Sequence, residues 1–145
     1  MRGQIVVPVL LKKGASKING LPAPENCEDS MFVNACFHTD ASGWLDNISV
    51  TWNANGSVDL ITNDGLASAF YQNFTLDDGA QYGLSLTGGH SDLFWLVNDV
   101  LTATPTTDTF YFEGTGLPVS IGMGTSGGAV VSANVDSVLL WNTDA

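Results

Sequence analysis

Between residues 31 and 142 apolar and polar positions alternate in short runs, and turn residues separate the runs. Ile48, Val50 and Trp52 alternate with Ser49, Thr51 and Asn53, the two-residue period of a strand with one apolar face. A turn follows at Asn53, Asn55 and Gly56, where glycine tolerates a positive φ. Residues 57–62 then return with Val58 and Leu60 inward, and a second turn follows at Asn63, Asp64 and Gly65. Two more strands are predicted over 68–76 and 80–87, across Asp77, Asp78 and Gly79. Residues 93–97 are apolar on both faces, as in a buried central strand. Phe110 and Phe112 mark one side of a strand over 107–113. Val119, Ile121 and Met123 mark another, and 129–141 closes the chain as one strand or two. At least eight short strands and no amphipathic helix predict an all-β fold. The expected form is an antiparallel two-sheet jelly-roll β-sandwich with an extended N-terminal arm.

The first thirty residues follow a different pattern. Ile5, Val6, Val7, Val9, Leu10 and Leu11 form an apolar run broken by Pro8, preceded by Arg2 and followed by Lys12, Lys13 and Lys17. The run is far shorter than the roughly 20 residues that span a membrane. The lysines behind it and the missing small-residue cleavage site do not fit a signal peptide. Pro22 and Pro24 favour an extended path into an acidic connector. An exposed apolar strand must pair with a sheet edge, its own or a neighbour's. Residues 1–30 are therefore expected to be a basic, apolar arm and connector, and 31–145 the sandwich. The ten residues named from Arg2 to Lys17 are the expected docking contacts.

Charge sharpens this division. All four basic residues lie in the first seventeen positions, and all fifteen acids lie beyond them, for a net charge of −11 over 145 residues. Such a body repels phosphate, so neither nucleic acid nor an anionic membrane is expected as partner. Charged residues make up 13%, about half the usual roughly 25%, while 44% are hydrophobic, ample for a core. Cys27 and Cys36 are the only cysteines. With no secretion signal, a reducing compartment and free thiols are expected. Metal binding by these cysteines with His38 and His90 lacks close ligand spacing in the sequence. Sequons at Asn47, Asn55 and Asn73 bear on the protein only in a secretory pathway.

The body resembles the carbohydrate-binding modules with a galactose-binding-like jelly roll. In residues 32–44, Asn34, Phe37 and Trp44 match the opening motif of that family. Tyr71, Gln72 and Leu76, then Gly79, then Tyr82 and Ser85, follow in the family's order, and Asp136, Val138 and Leu140 match its closing strand. The resemblance covers roughly residues 31–142 and implies the jelly-roll fold. It further implies a structural calcium shared by an opening Glu and a closing Asp. Here the Glu position is His38, so Asp136 is the single ligand carried over. Sugar recognition would use aromatic rings, with Trp52, Tyr71, Trp95, Tyr111 and Trp141 as candidates. Tyr71 and Tyr111 stand opposite the inward-expected Phe70 and Phe112 and are foremost. Trp95 joins them as a possible glycan contact, although its run is apolar on both sides.

No catalytic constellation emerges. The glycine-rich segment 124–128 resembles the nucleophile loop of trypsin-like proteases, but neither His38 nor His90 sits in that family's histidine motif. Adjacent acids such as Asp77 and Asp78 point in different directions and stay solvated. No enzymatic activity and no cofactor are expected. The expected function is that of a non-enzymatic bacteriophage virion protein, a capsid decoration, head fibre or tail accessory subunit. It would assemble in the bacterial cytoplasm with other virion proteins, as a homo-oligomer docked through its arm. A carbohydrate-binding module that recognises a glycan, including one on the host surface, is the alternative.

Overall fold

The structure is a computed structural model and describes residues 21–63 and 66–144. The expected docking residues from Arg2 to Lys17 lie outside the described residues. A short 3-10 turn, Cys27–Asp29, precedes ten strands: β1 Leu45–Asp46, β2 Ser49–Asn53, β3 Ser57–Ile61, β4 Ser68–Thr75, β5 Gln81–Gly88, β6 Phe94–Val97, β7 Val100–Pro105, β8 Phe110–Glu113, β9 Pro118–Thr125 and β10 Ser132–Asn142. They form two antiparallel five-stranded sheets, ordered β1-β4-β9-β6-β7 and β2-β3-β10-β5-β8. The protein is an all-β sandwich, as the strand pattern predicts.

Alternation sets which side chains fill the space between the sheets. Phe70 on β4, Ile121 and Met123 on β9 and Trp95 on β6 face Leu60, Leu84, Val138 and Leu140 from the other sheet, all with no exposed surface. On β10 Val135 and Val138 are both buried although three positions apart. A bulge between Val135 and Ser137, at Asp136, makes this possible. Without the extra residue the strand beyond it would turn its apolar set to solvent.

Strand content begins later than the sequence suggests. Residues 31–44 hold no strand but close one end of the sandwich. Phe32, Phe37 and Trp44 pack there, with Trp44 stacked on Phe70 at 4.5 Å between centroids and 6° between planes. The buried Gln72 amide accepts from Val33 N and donates to Val33 O, at 3.0 and 2.8 Å, and so fixes this segment to β4 as a ladder pair would.

The described part of the connector, 21–30, also lies on the body. Leu21 N donates to Thr143 O, Trp141 Nε1 donates to Leu21 O, and Met31 N donates to Leu140 O. Ser30 Oγ accepts from Leu140 N.

The expectation of free thiols is corrected: Cys27 and Cys36 are joined by a disulfide, with Cα atoms 5.6 Å apart. The 3-10 turn brings Cys27 back beside Cys36, a proximity that the sequence separation of 9 does not reveal. Trp95 is also corrected as a glycan contact. Its ring is fully buried, and its Nε1 donates to Asp108 O at 2.7 Å.

Trp95→Ala is expected to lower stability by about 3–5 kcal/mol, the range for large aromatic core truncations. Tyr111→Ala is expected to cost at most about 1.5 kcal/mol, since it loses one aromatic pair. Urea unfolding of both variants checks this, and an unchanged midpoint for Trp95→Ala would remove that residue from the core.

Candidate functional site

Register assembles a surface that no local pattern shows. On the outer face of the first sheet, Leu45 on β1 lies opposite Tyr71 on β4, and Tyr71 lies opposite Gly122 on β9. Gly122 lies opposite Leu96 on β6, and Leu96 opposite Leu101 on β7. One row thus crosses all five strands. The next row runs Ala69, Gly124, Phe94 and Pro105. Glycine at 122 and 124 leaves β9 without side chains along these two rows, a shallow furrow in which both glycines are themselves buried. Tyr71 and Ala69 border it on one side, Leu96 and Phe94 on the other, all half-buried. The glycines are required here because a Cβ at Gly122 would collide with the Phe70 carbonyl, and one at Gly124 with the Ser68 carbonyl.

The furrow is apolar along these two rows and polar at one end. Ser120 is next along β9, and its Oγ donates to Asn73 Oδ1 at 3.0 Å. Its backbone N donates to Asp99 Oδ1 at 2.7 Å. Asn98 and Asp99, both at positive φ, turn β6 into β7. The Oδ1 of Asn98 is buried and has no hydrogen-bond partner among the described residues. An apolar, ring-bordered furrow with amides and a carboxylate at its end suits a ligand with both apolar and hydroxylated faces.

Tyr111 belongs to the other side of the molecule. It lies opposite Gly83, as does Trp141, on the outer face of the second sheet. The Trp141 ring covers Gly83, where a Cβ would meet it, and is only 6% exposed. Tyr111 is 52% exposed and packs edge-on against that ring at 6.1 Å. Tyr71 and Tyr111 therefore cannot grip the same ligand molecule. Trp52, expected inward, is 37% exposed because β2 is an edge strand, and its Nε1 donates to Phe37 O.

Asp136 is exposed at the β10 bulge, and among the described residues no group of three His, Cys, Asp or Glu side chains includes it. His38 instead pairs with Glu28 at 2.9 Å. An imidazole is a poor substitute for a calcium carboxylate, so the residues present do not fit the calcium that the family resemblance implies.

Among the described residues three carboxyls titrate below their ordinary range, all on the surface. His38 hydrogen-bonds Glu28 and favours its ionised form. Ser42 N, and then Ser42 Oγ and Asn34, do so for Asp40. Asn134 and then Asn53 do so for Asp59. Each adds stability above its unfolded value that is lost as pH falls through the folded one. None of them lines the furrow. Ser126 in the glycine-rich segment 124–128 has no hydrogen bond to either histidine among the described residues; His90 Nδ1 accepts from Asp92 N.

Sequence reasoning found Tyr71 but missed Phe94, Leu96, Gly122 and Gly124, because their grouping arises from long-range pairing. It set aside metal binding by Cys27, Cys36 and His38 and did not consider Glu28, whereas the ligating atoms of these four residues all lie within 4.8 Å of one another. The adjacent Cys27 and Glu28, with His38 two places after Cys36, were the available signal. No protein-family model matches the chain, and no curated protein matches it.

Proposed function

We propose that the chain is a non-enzymatic structural protein of a tailed-bacteriophage virion, a capsid decoration, head fibre or tail accessory subunit. It docks through its N-terminal arm on other virion proteins and displays a jelly-roll domain as a homo-oligomer. The strand order supports the jelly-roll reading. Strands β3-β10-β5-β8 face β4-β9-β6-β7, the arrangement in which eight successive strands wind as two Greek keys, with β1 and β2 added at the edges.

The observation that carries the docking role is the anchoring of Leu21. Its N–H and C=O are held by Thr143 and Trp141, so the segment before it departs from a fixed point on the second sheet. That segment carries every Lys and Arg of the chain and a run of six apolar residues around Pro8, while all fifteen acids lie beyond it, in the connector and the sandwich. An arm of that composition gains most by covering its apolar run on a neighbour, and the acidic sandwich stays solvated.

A chain lacking residues 1–20 is expected to keep the thermal midpoint of the full protein and to be missing from assembled particles. Occupancy is read by electrophoresis of purified particles; full occupancy of the truncated chain would overturn the docking role.

The furrow beside Tyr71 favours glycan recognition as a second function. On a glycan array with and without calcium, binding is expected that weakens about tenfold in Tyr71→Ala, a loss of about 1.4 kcal/mol. Tyr111→Ala, on the opposite face, is expected to bind as the parent does. An array with no hits would contradict glycan recognition.

A further inference from the structure

We propose that Cys27, Cys36, His38 and Glu28 form a zinc site that replaces the Cys27–Cys36 bond when the chain is reduced. The two sulfurs, an imidazole nitrogen and a carboxylate oxygen lie within 4.8 Å of one another. Zinc bonded at about 2.3 Å to sulfur and about 2.0–2.2 Å to nitrogen and oxygen needs its ligands roughly 3.3–3.8 Å apart. Small side-chain movements therefore close a tetrahedron once the sulfurs separate. Two thiolates, an imidazole and a carboxylate are a donor set for zinc, while calcium and magnesium prefer oxygen alone.

The surrounding backbone is held by bonds that do not involve the disulfide. Ser30 N donates to Cys27 O, Met31 N to Leu140 O, and Val138 N to Ala35 O. Phe37, fully buried at a φ of 52°, accepts from Trp52 Nε1 at 2.7 Å. Reduction frees the sulfurs while leaving the segments that carry them in place. His38 and Glu28 have side chains 69% and 64% exposed and already meet at 2.9 Å, so an ion from solvent reaches the open side of the group. The acidic body draws cations toward it.

The chemistry balances with a dithiol as reductant. Its two thiolates attack the disulfide in turn through a mixed disulfide; Cys27 and Cys36 gain two electrons and two protons, and the dithiol is oxidised to a disulfide. Zinc binding then releases the two thiol protons to water. Oxidation of the thiolates by a disulfide reverses the steps and expels the ion.

The full chain, reduced with a phosphine under anaerobic conditions, is titrated with cobalt(II), followed by zinc displacement. The expected result is one equivalent of cobalt with tetrahedral d–d bands and sulfur-to-cobalt charge transfer, all absent from the oxidised chain. His38→Ala and Glu28→Gln change exposed side chains and leave the fold intact; each is expected to weaken zinc binding at least tenfold. Circular dichroism of the reduced variants confirms their folding. The proposal is overturned if the reduced chain takes up no metal, if the oxidised chain binds equally, or if both variants retain full affinity.

Discussion

The position of β10 at the centre of the second sheet is the constraint on which the rest of the fold depends. The last strand inserts between β3 and β5, pairing with β3 through Val135 and with β5 as far as Asn142. It also receives the start of the described chain, at Leu140 and Val138, while Thr143 and Trp141 hold Leu21. The first described segment and the last strand are therefore closed on each other, and the sandwich is incomplete until the final strand arrives. Such non-local pairing is entropically costly and slow to form. The bulge at Asp136 is part of the same solution, because it keeps Val135, Val138 and Leu140 on one face while β10 serves two partners.

What was legible in the sequence follows from this arrangement. Most strands were readable because their apolar residues alternate or run together between turn residues, so β2 to β6, β8, β9 and β10 show in the sequence. Strand β7 was hidden. Its residues Thr102, Ala103 and Thr104 carry little hydrophobic signal, and it ends at Pro105, which fits an edge strand. Residues 31–44 misled in the opposite sense. Their aromatic residues looked strand-like but bury themselves from a loop, with Asn34 and Phe37 at positive φ. Phe37 is an unfavourable residue for that conformation, and the packing of its ring in the core holds it there. Tyr71 was identified from its place opposite Phe70. The glycines and β6 side chains beside it were not, because two-residue alternation says which face a residue occupies and nothing about its neighbour across the sheet.

The cysteines show a similar limit. The expectation of a reducing compartment pointed to thiols, while the 3-10 turn at Cys27–Asp29 places the sulfurs together. The same turn brings Glu28 to His38. The segment thereby joins two chemistries that depend on redox conditions: a covalent bond in an oxidising medium, and a soft-donor cluster in a reducing one. Both require the backbone around residues 27–38 to be held by β10 and by the buried aromatic group rather than by the sulfur bond. β10 therefore fixes residues 27–38 independently of the disulfide.

Amide hydrogen exchange on the oxidised and the reduced protein tests this claim most directly. The N–H groups of Met31 and Val138 bind Leu140 O and Ala35 O, across the junction between that segment and β10. They are expected to exchange slowly in both states, close to the amides of β4 and β9. Fast exchange of both after reduction, with β4 and β9 still protected, would show instead that the disulfide holds the segment in place.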